Sequence, residues 1–95
     1  DLKEISDEIL SKESISGNDL KKVREAMGIE LEEIFEITRI NISILKSIED
    51  NQFGRLPPII YLKNFLKSYT EILQIDSKKI IDGYMKNIDL IEQTI

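Results

Sequence analysis

NDLKKVREAMGIELEEIFEITRINISILKSIEDN, residues 18–51, has the spacing of three short helices in tight succession. Asn18 is placed to cap the first, because its side chain can accept from a free backbone N–H one turn on. Leu20, Val23 and Met27 recur at helical spacing over 19–27, and Gly28 offers a left-handed stop. Leu31, Ile34 and Ile37 mark a second helix over 31–37. Thr38-Arg39-Ile40 is the joint. Asn41 can cap a third helix over 42–51, with Ile42, Leu45 and Ile48 inward.

Two short helices about a three- or four-residue turn are the layout of a helix-turn-helix. In a DNA reader the second of the pair lies in the major groove, with N-terminal side chains on base edges. Here Ser43, Ile44, Lys46, Ser47 and Asp50 are expected to face out. That face has no arginine for guanine and no Gln or Asn within the helix for adenine. The candidate phosphate contacts are Lys21, Lys22, Arg24, Arg39 and Lys46, and the candidate base readers are Ser43, Ile44 and Ser47. An outward Ile44 suits a protein partner at least as well. Glu32, Glu33 and Glu36 point out from the second helix, where they suit its dipole and oppose a polyanion.

Before this stretch, residues 1–17 are charged and serine-containing. They form a linker or lead-in helix, or an amphipathic segment that docks through Leu2, Ile5, Ile9 and Leu10. After it, Phe53 to Pro58 is a loop, with Phe53 and Leu56 tucked under the helices. PIIYLKNFLKSYTEIL, residues 58–73, is the longest helix. Leu62, Phe65, Leu66, Tyr69 and Leu73 share one arc, with Tyr61 and Ile72 at its edge and Lys63, Lys67 and Thr70 opposite. On periodicity, Phe65 and Tyr69 belong to the core. Asp76 can cap a fifth helix over 77–86, held by Ile80, Ile81 and Tyr84 or Met85. Ile88, Ile91 and Ile95 continue its spacing, so the tail can extend the helix or fray. The expected organisation is a lead-in over 1–17, an all-α five-helix domain over 18–86 and an extension over 87–95.

The chain has 95 residues, enough for one modest core. It lacks cysteine and histidine, which removes disulfides and the commonest transition-metal ligand and general base. No glycine-rich phosphate loop, metal cluster or nucleophile–base pair is present. The expectation is a non-enzyme with no cofactor, metal or small-molecule substrate. The net charge is −5. Residues 1–17 contribute −3, residues 18–55 contribute −2 and residues 56–95 contribute 0, so no segment is basic. DNA-binding domains draw most of their non-specific affinity from Lys and Arg on phosphates. No apolar run approaches 18 residues, and no signal-peptide pattern opens the chain. A cytoplasmic chain is expected, or the cytoplasmic part of a membrane-anchored protein, with no membrane contact of its own.

The run from Leu20 to Asp76 resembles the cytoplasmic helix-turn-helix domain of RodZ-type proteins, in the phage-repressor superfamily. The matching pieces are Leu20, Arg24-Glu25-Ala26, Gly28, Leu31-Glu32-Glu33-Ile34 and Thr38-Arg39-Ile40. They continue through Leu45, Ile48-Glu49, Phe53, Leu56-Pro57, Tyr61, Phe65-Leu66, Tyr69 and Ile75-Asp76. Similar domains occur in other bacterial multi-domain proteins, including J-domain fusions. The resemblance implies a compact five-helix bundle of the phage-repressor type, used for protein contact. It further implies the bacterial actin MreB as partner, met by aromatic residues of the fourth helix: Phe65 and Tyr69, with Tyr61. Three positions depart from the pattern. Phe35 stands where a small residue is usual and must pry the helices apart or turn outward. Asn64 replaces a glycine, and Ile59 replaces the second proline of a Leu-Pro-x-Pro run. Two uses are open, and one domain can carry both on different faces: a protein-interaction module, and a sequence-specific DNA-binding transcriptional regulator.

Overall fold

In the computed structural model, residues 1–92 are described, and every regular element among them is helical. The order is α1 (Leu2–Leu10), α2 (Gly17–Ala26), α3 (Leu31–Thr38), α4 (Ile42–Glu49), a 3-10 turn (Phe53–Arg55), α5 (Ile59–Leu73) and α6 (Ser77–Glu92). There are thus six α-helices where five were expected, and the additional one is α1. Asp1 caps it by accepting from the Lys3 N–H at 2.8 Å. Ile9 on its inner side is buried, and Ile15 beyond it is fully buried. The Ile15 N–H donates to the Gly83 carbonyl at 2.9 Å. A Cβ on Gly83 would lie 2.6 Å from Ile15 Cδ1, so the lead-in lies directly on α6. At the other end α6 runs past residue 86 to Glu92; Ile95 lies outside the described residues.

Ser16, rather than Asn18, starts α2. Its Oγ accepts from the Asp19 N–H at 3.2 Å, and Asp19 Oδ2 accepts from the Ser16 N–H at 3.0 Å, closing a capping box. Lys12 joins Asp19 at 2.8 Å. Burial alone would raise the Asp19 carboxyl; the Lys12 and Ser16 hydrogen bonds outweigh it and hold the pKa below its ordinary value. Gly28 follows the helix at φ 71°, as expected for the stop. The turn between α3 and α4 has Arg39 left-handed at φ 62° and Asn41 capping α4 through the Ser43 N–H at 2.7 Å. Phe35 is half-buried at the edge of this joint, and the Arg39 guanidinium sits 5.5 Å above its ring.

Most of the expected core is buried: Leu20, Val23, Leu31, Ile34, Leu45, Ile48, Leu62, Leu66, Tyr69, Leu73, Ile80 and Tyr84. Several positions reverse, among them Arg24 and Ser47, which were expected outward and are buried. Ile37 is 69% exposed, because a residue every three positions drifts about 60° per step, and Thr38 replaces it on the inner arc. Thr70 is fully buried, not outward, and its hydroxyl meets Ser77 at 2.7 Å where α5 turns into α6.

Three helices meet on one buried carboxylate. Glu49, at the end of α4, accepts from Arg24 Nε at 2.8 Å and Nη2 at 2.9 Å, a two-pronged pair from α2. Arg24 Nη1 donates to the Ile29 carbonyl at 2.8 Å. The Tyr69 hydroxyl, from α5, donates a hydrogen bond to Glu49 Oε2. One turn of the same junction is closed by Tyr84, whose hydroxyl donates to the Ile48 carbonyl at 2.8 Å. Hydrogen bonding to Glu49 pushes the Arg24 pKa up. Burial, then the Glu49 charge, pushes Tyr69 far up, and burial does the same to Tyr84. The α2 backbone closes on the same place. A Cβ on Gly17 would lie 1.9 Å from the Ile48 carbonyl oxygen.

Replacing Gly17 with Ala therefore forces α2 and α4 apart, at a cost of about 1–3 kcal/mol or more in urea unfolding. Glu49→Ala leaves the Arg24 charge buried without a partner and should cost about 3–5 kcal/mol. An unchanged denaturation midpoint for either variant contradicts this packing. Tyr69 and Tyr84 ionise near their ordinary value of 10.0 in the unfolded chain but well above it in the folded one. Stability is therefore complete below that pH and falls as pH rises beyond it. Tyr69→Phe should flatten part of this alkaline loss, as followed by circular dichroism.

Candidate partner-binding site

α4 would be the recognition helix of a DNA reader, and the structure places its candidate contacts unevenly. Arg24 and Ser47 are buried, so neither offers its polar group to a ligand. Arg24 is held by Glu49, and the Ser47 hydroxyl donates to the Ser43 carbonyl at 2.8 Å. The Ser43 hydroxyl donates to Asn41 Oδ1 at 2.7 Å within the helix cap. Ile44 is half-buried and packs on the core, and Lys21 is half-buried on α2. Lys22, Arg39, Ser43 and Lys46 are exposed. Beside α4 lies a polar hollow of about 300 Å³, lined by Ser43, Lys46, Ser47, Asp50, Gln52 and Arg55. Its charged lining is two bases and one acid.

The aromatic candidates on α5 also separate. Tyr69 is fully buried with its hydroxyl on Glu49, which removes it from any partner surface. Phe65 is half-buried against the core. Tyr61 is 57% exposed. Two further residues join it: Ile59 and Ile60, at 60% and 69% exposure. The start of α5 thus presents three consecutive apolar side chains to solvent. The signal was present in the sequence. Relative to the buried arc of Leu62, Leu66, Tyr69 and Leu73, Ile60 lies nearly opposite and Tyr61 about 100° away. The charge cluster also had a signal. Arg24 lies one turn from Leu20, and Glu49 one turn from Leu45, so both fall on apolar stripes.

Among the described residues, no group of three or more His, Cys, Asp or Glu is placed to hold a metal ion. No described helix is long and apolar enough to cross a membrane. The groups with the largest pKa shifts, Arg24, Tyr69 and Tyr84, are all buried parts of the helix junction.

Comparison with known proteins adds family information to this geometry. A family model described as a helix-turn-helix domain matches residues 19–80, about two-thirds of the chain. The cytoskeleton protein RodZ of Streptococcus pneumoniae is 31% identical over 68 residues, covering 72% of this chain and 25% of that protein. An uncharacterized protein of Haemophilus influenzae is 30% identical over 60 residues, covering 62% of this chain and 20% of that protein. The chain therefore spans a quarter or less of the length of these relatives. No solved structure gives a significant match. The matched region takes in α3, the Arg39 turn, α4 and the Glu49 junction, so the chain belongs to the helix-turn-helix domain family, in its RodZ-type form.

Proposed function

We propose that this chain is a non-catalytic, cytoplasmic helix-turn-helix module that works by binding another protein. The observation that carries this is the exposed apolar start of α5, above all Tyr61 with Phe65 one turn on at its side and Ile60 on the flank. Exposed apolar patches mark contact surfaces, and tyrosine is enriched where contacts are strongest. The charge balance supports the same reading. Arg24, a candidate phosphate contact, is committed to Glu49, and the two candidate base-reading hydroxyls are bonded within α4. RodZ-type similarity suggests a cytoskeletal scaffold role, with a bacterial actin of the MreB kind as partner. The working unit is residues 18–86 on the phage-repressor plan, with α1 added in front and residues 87–95 as an extension.

Tyr61→Ala should weaken co-sedimentation with MreB filaments at least about tenfold while leaving the melting curve unchanged, since Tyr61 is mostly exposed. Undiminished co-sedimentation would contradict the reading. The DNA-regulator alternative rests on Lys22, Arg39, Ser43 and Lys46 being exposed, and on the hollow beside Lys46 and Arg55. It predicts binding to random duplex at low salt that weakens steeply as salt rises. The protein-binding reading predicts no such binding.

A further inference from the structure

The outer face of α3 carries acids and an apolar residue that the fold leaves uncovered. Ile37 is 69% exposed. It lines two hollows of about 400 Å³ each. Glu32, Glu33 and Glu36 line the first with it. Thr38, Ser68, Glu71 and Ile72 line the second with it. Ile37 borders both, so the two hollows adjoin at its side chain and together make a trough with α3 on one side of it and the C-terminal half of α5 on the other. Its lining holds four glutamates and no lysine or arginine. None of the four is in an ion pair among the described residues.

We infer that this trough is a docking site for a basic amphipathic helix of a protein partner. Apolar side chains of that helix would rest on Ile37 and Ile72, and its lysines or arginines would face Glu32, Glu33, Glu36 and Glu71. This is helix-in-groove recognition, with charge fixing the register and rejecting wrong partners. The sign of the charge selects the occupant. Nucleic acid and anionic lipid are repelled by four carboxylates, and a second copy of this chain would bring a net charge of −5. The trough also continues toward the surface already proposed. Tyr61, Phe65, Ser68 and Ile72 lie within about 60° of each other around α5 at 100° per residue. Tyr61 is about 16 Å along the axis from Ile72, so one helix of ordinary length reaches both. The inference rests on the protein-binding reading and names the partner element it requires.

The test uses a fluorescent leucine–lysine peptide of about 18 residues, roughly 27 Å of helix, patterned to be amphipathic. Its controls are a scrambled peptide of the same composition and a leucine–glutamate counterpart. By fluorescence anisotropy, the patterned basic peptide binds, the scrambled one binds at least about tenfold more weakly and the acidic one does not bind. Ile37→Ser weakens binding at least about tenfold, and the double reversal Glu36→Lys with Glu71→Lys abolishes it; Glu33 is left in place because it caps α3 by accepting from the Glu30 N–H. Circular dichroism confirms that both variants remain folded, as expected for exposed positions. Equal binding of the scrambled peptide, wild-type affinity in Ile37→Ser, or no binding at all overturns the trough. Those outcomes leave Tyr61-dependent filament binding untouched, so failure here and failure of the protein-binding reading are separately visible.

Discussion

Glu49 is a carboxylate buried where α2, α4 and α5 meet, and the arrangement of the molecule depends on its being fully bonded. An unpaired carboxylate there would be prohibitively costly. Two prongs from Arg24 and the Tyr69 hydroxyl satisfy it, and Arg24 uses its remaining reach on the Ile29 carbonyl. Each partner comes from a different segment, so the cluster specifies how three helices pack as well as that they pack. Tyr84 adds α6 through the Ile48 carbonyl, and Gly17 lets α2 close on the same turn. The C-terminal end of α4 is therefore the hub of the domain.

That hub has a consequence for the surfaces. Arg24 is drawn inward, and the Ser43 and Ser47 hydroxyls are bonded within α4. α4 is left with Lys46 and a mixed polar hollow on its outer face. The most exposed features lie elsewhere: three apolar residues opening α5, and four glutamates around Ile37, of which Glu33 also caps α3. The proposed role follows from that division, with α4 bracing the fold and α3 and α5 presenting it.

Much of the architecture was legible in the sequence because local rules agree with one another. Asn41 as a cap, the Arg39 turn, the stop at Gly28 and the Leu62, Leu66, Leu73 stripe all occur where spacing puts them. Where two local rules compete, tertiary contacts decide. Ser16 and Asn18 are both good caps, and the reciprocal bond with Asp19 selects Ser16. The helical run Leu2–Leu10 is too short to be stable alone; burial of Ile9 and of Ile15 against Gly83 is a long-range event that its own residues do not disclose. Arg24 and Glu49 look like surface charges until each is placed on its apolar stripe. Tyr61 was placed at the edge of the apolar arc by its spacing, and it is exposed. Tyr69 was legible as core, and the resemblance pointed the other way. Ile37 was hidden by a three-residue spacing that drifts off the buried face.

The most direct measurement is amide mapping by NMR of the labelled chain, titrated in parallel with MreB and with random duplex DNA. The prediction is that the actin perturbs Ile60, Tyr61 and Phe65, while Ser43, Lys46 and Ser47 are unmoved and DNA shifts nothing. Shifts centred on Ser43, Lys46 and Ser47 with DNA, and none on α5 with the actin, would contradict it.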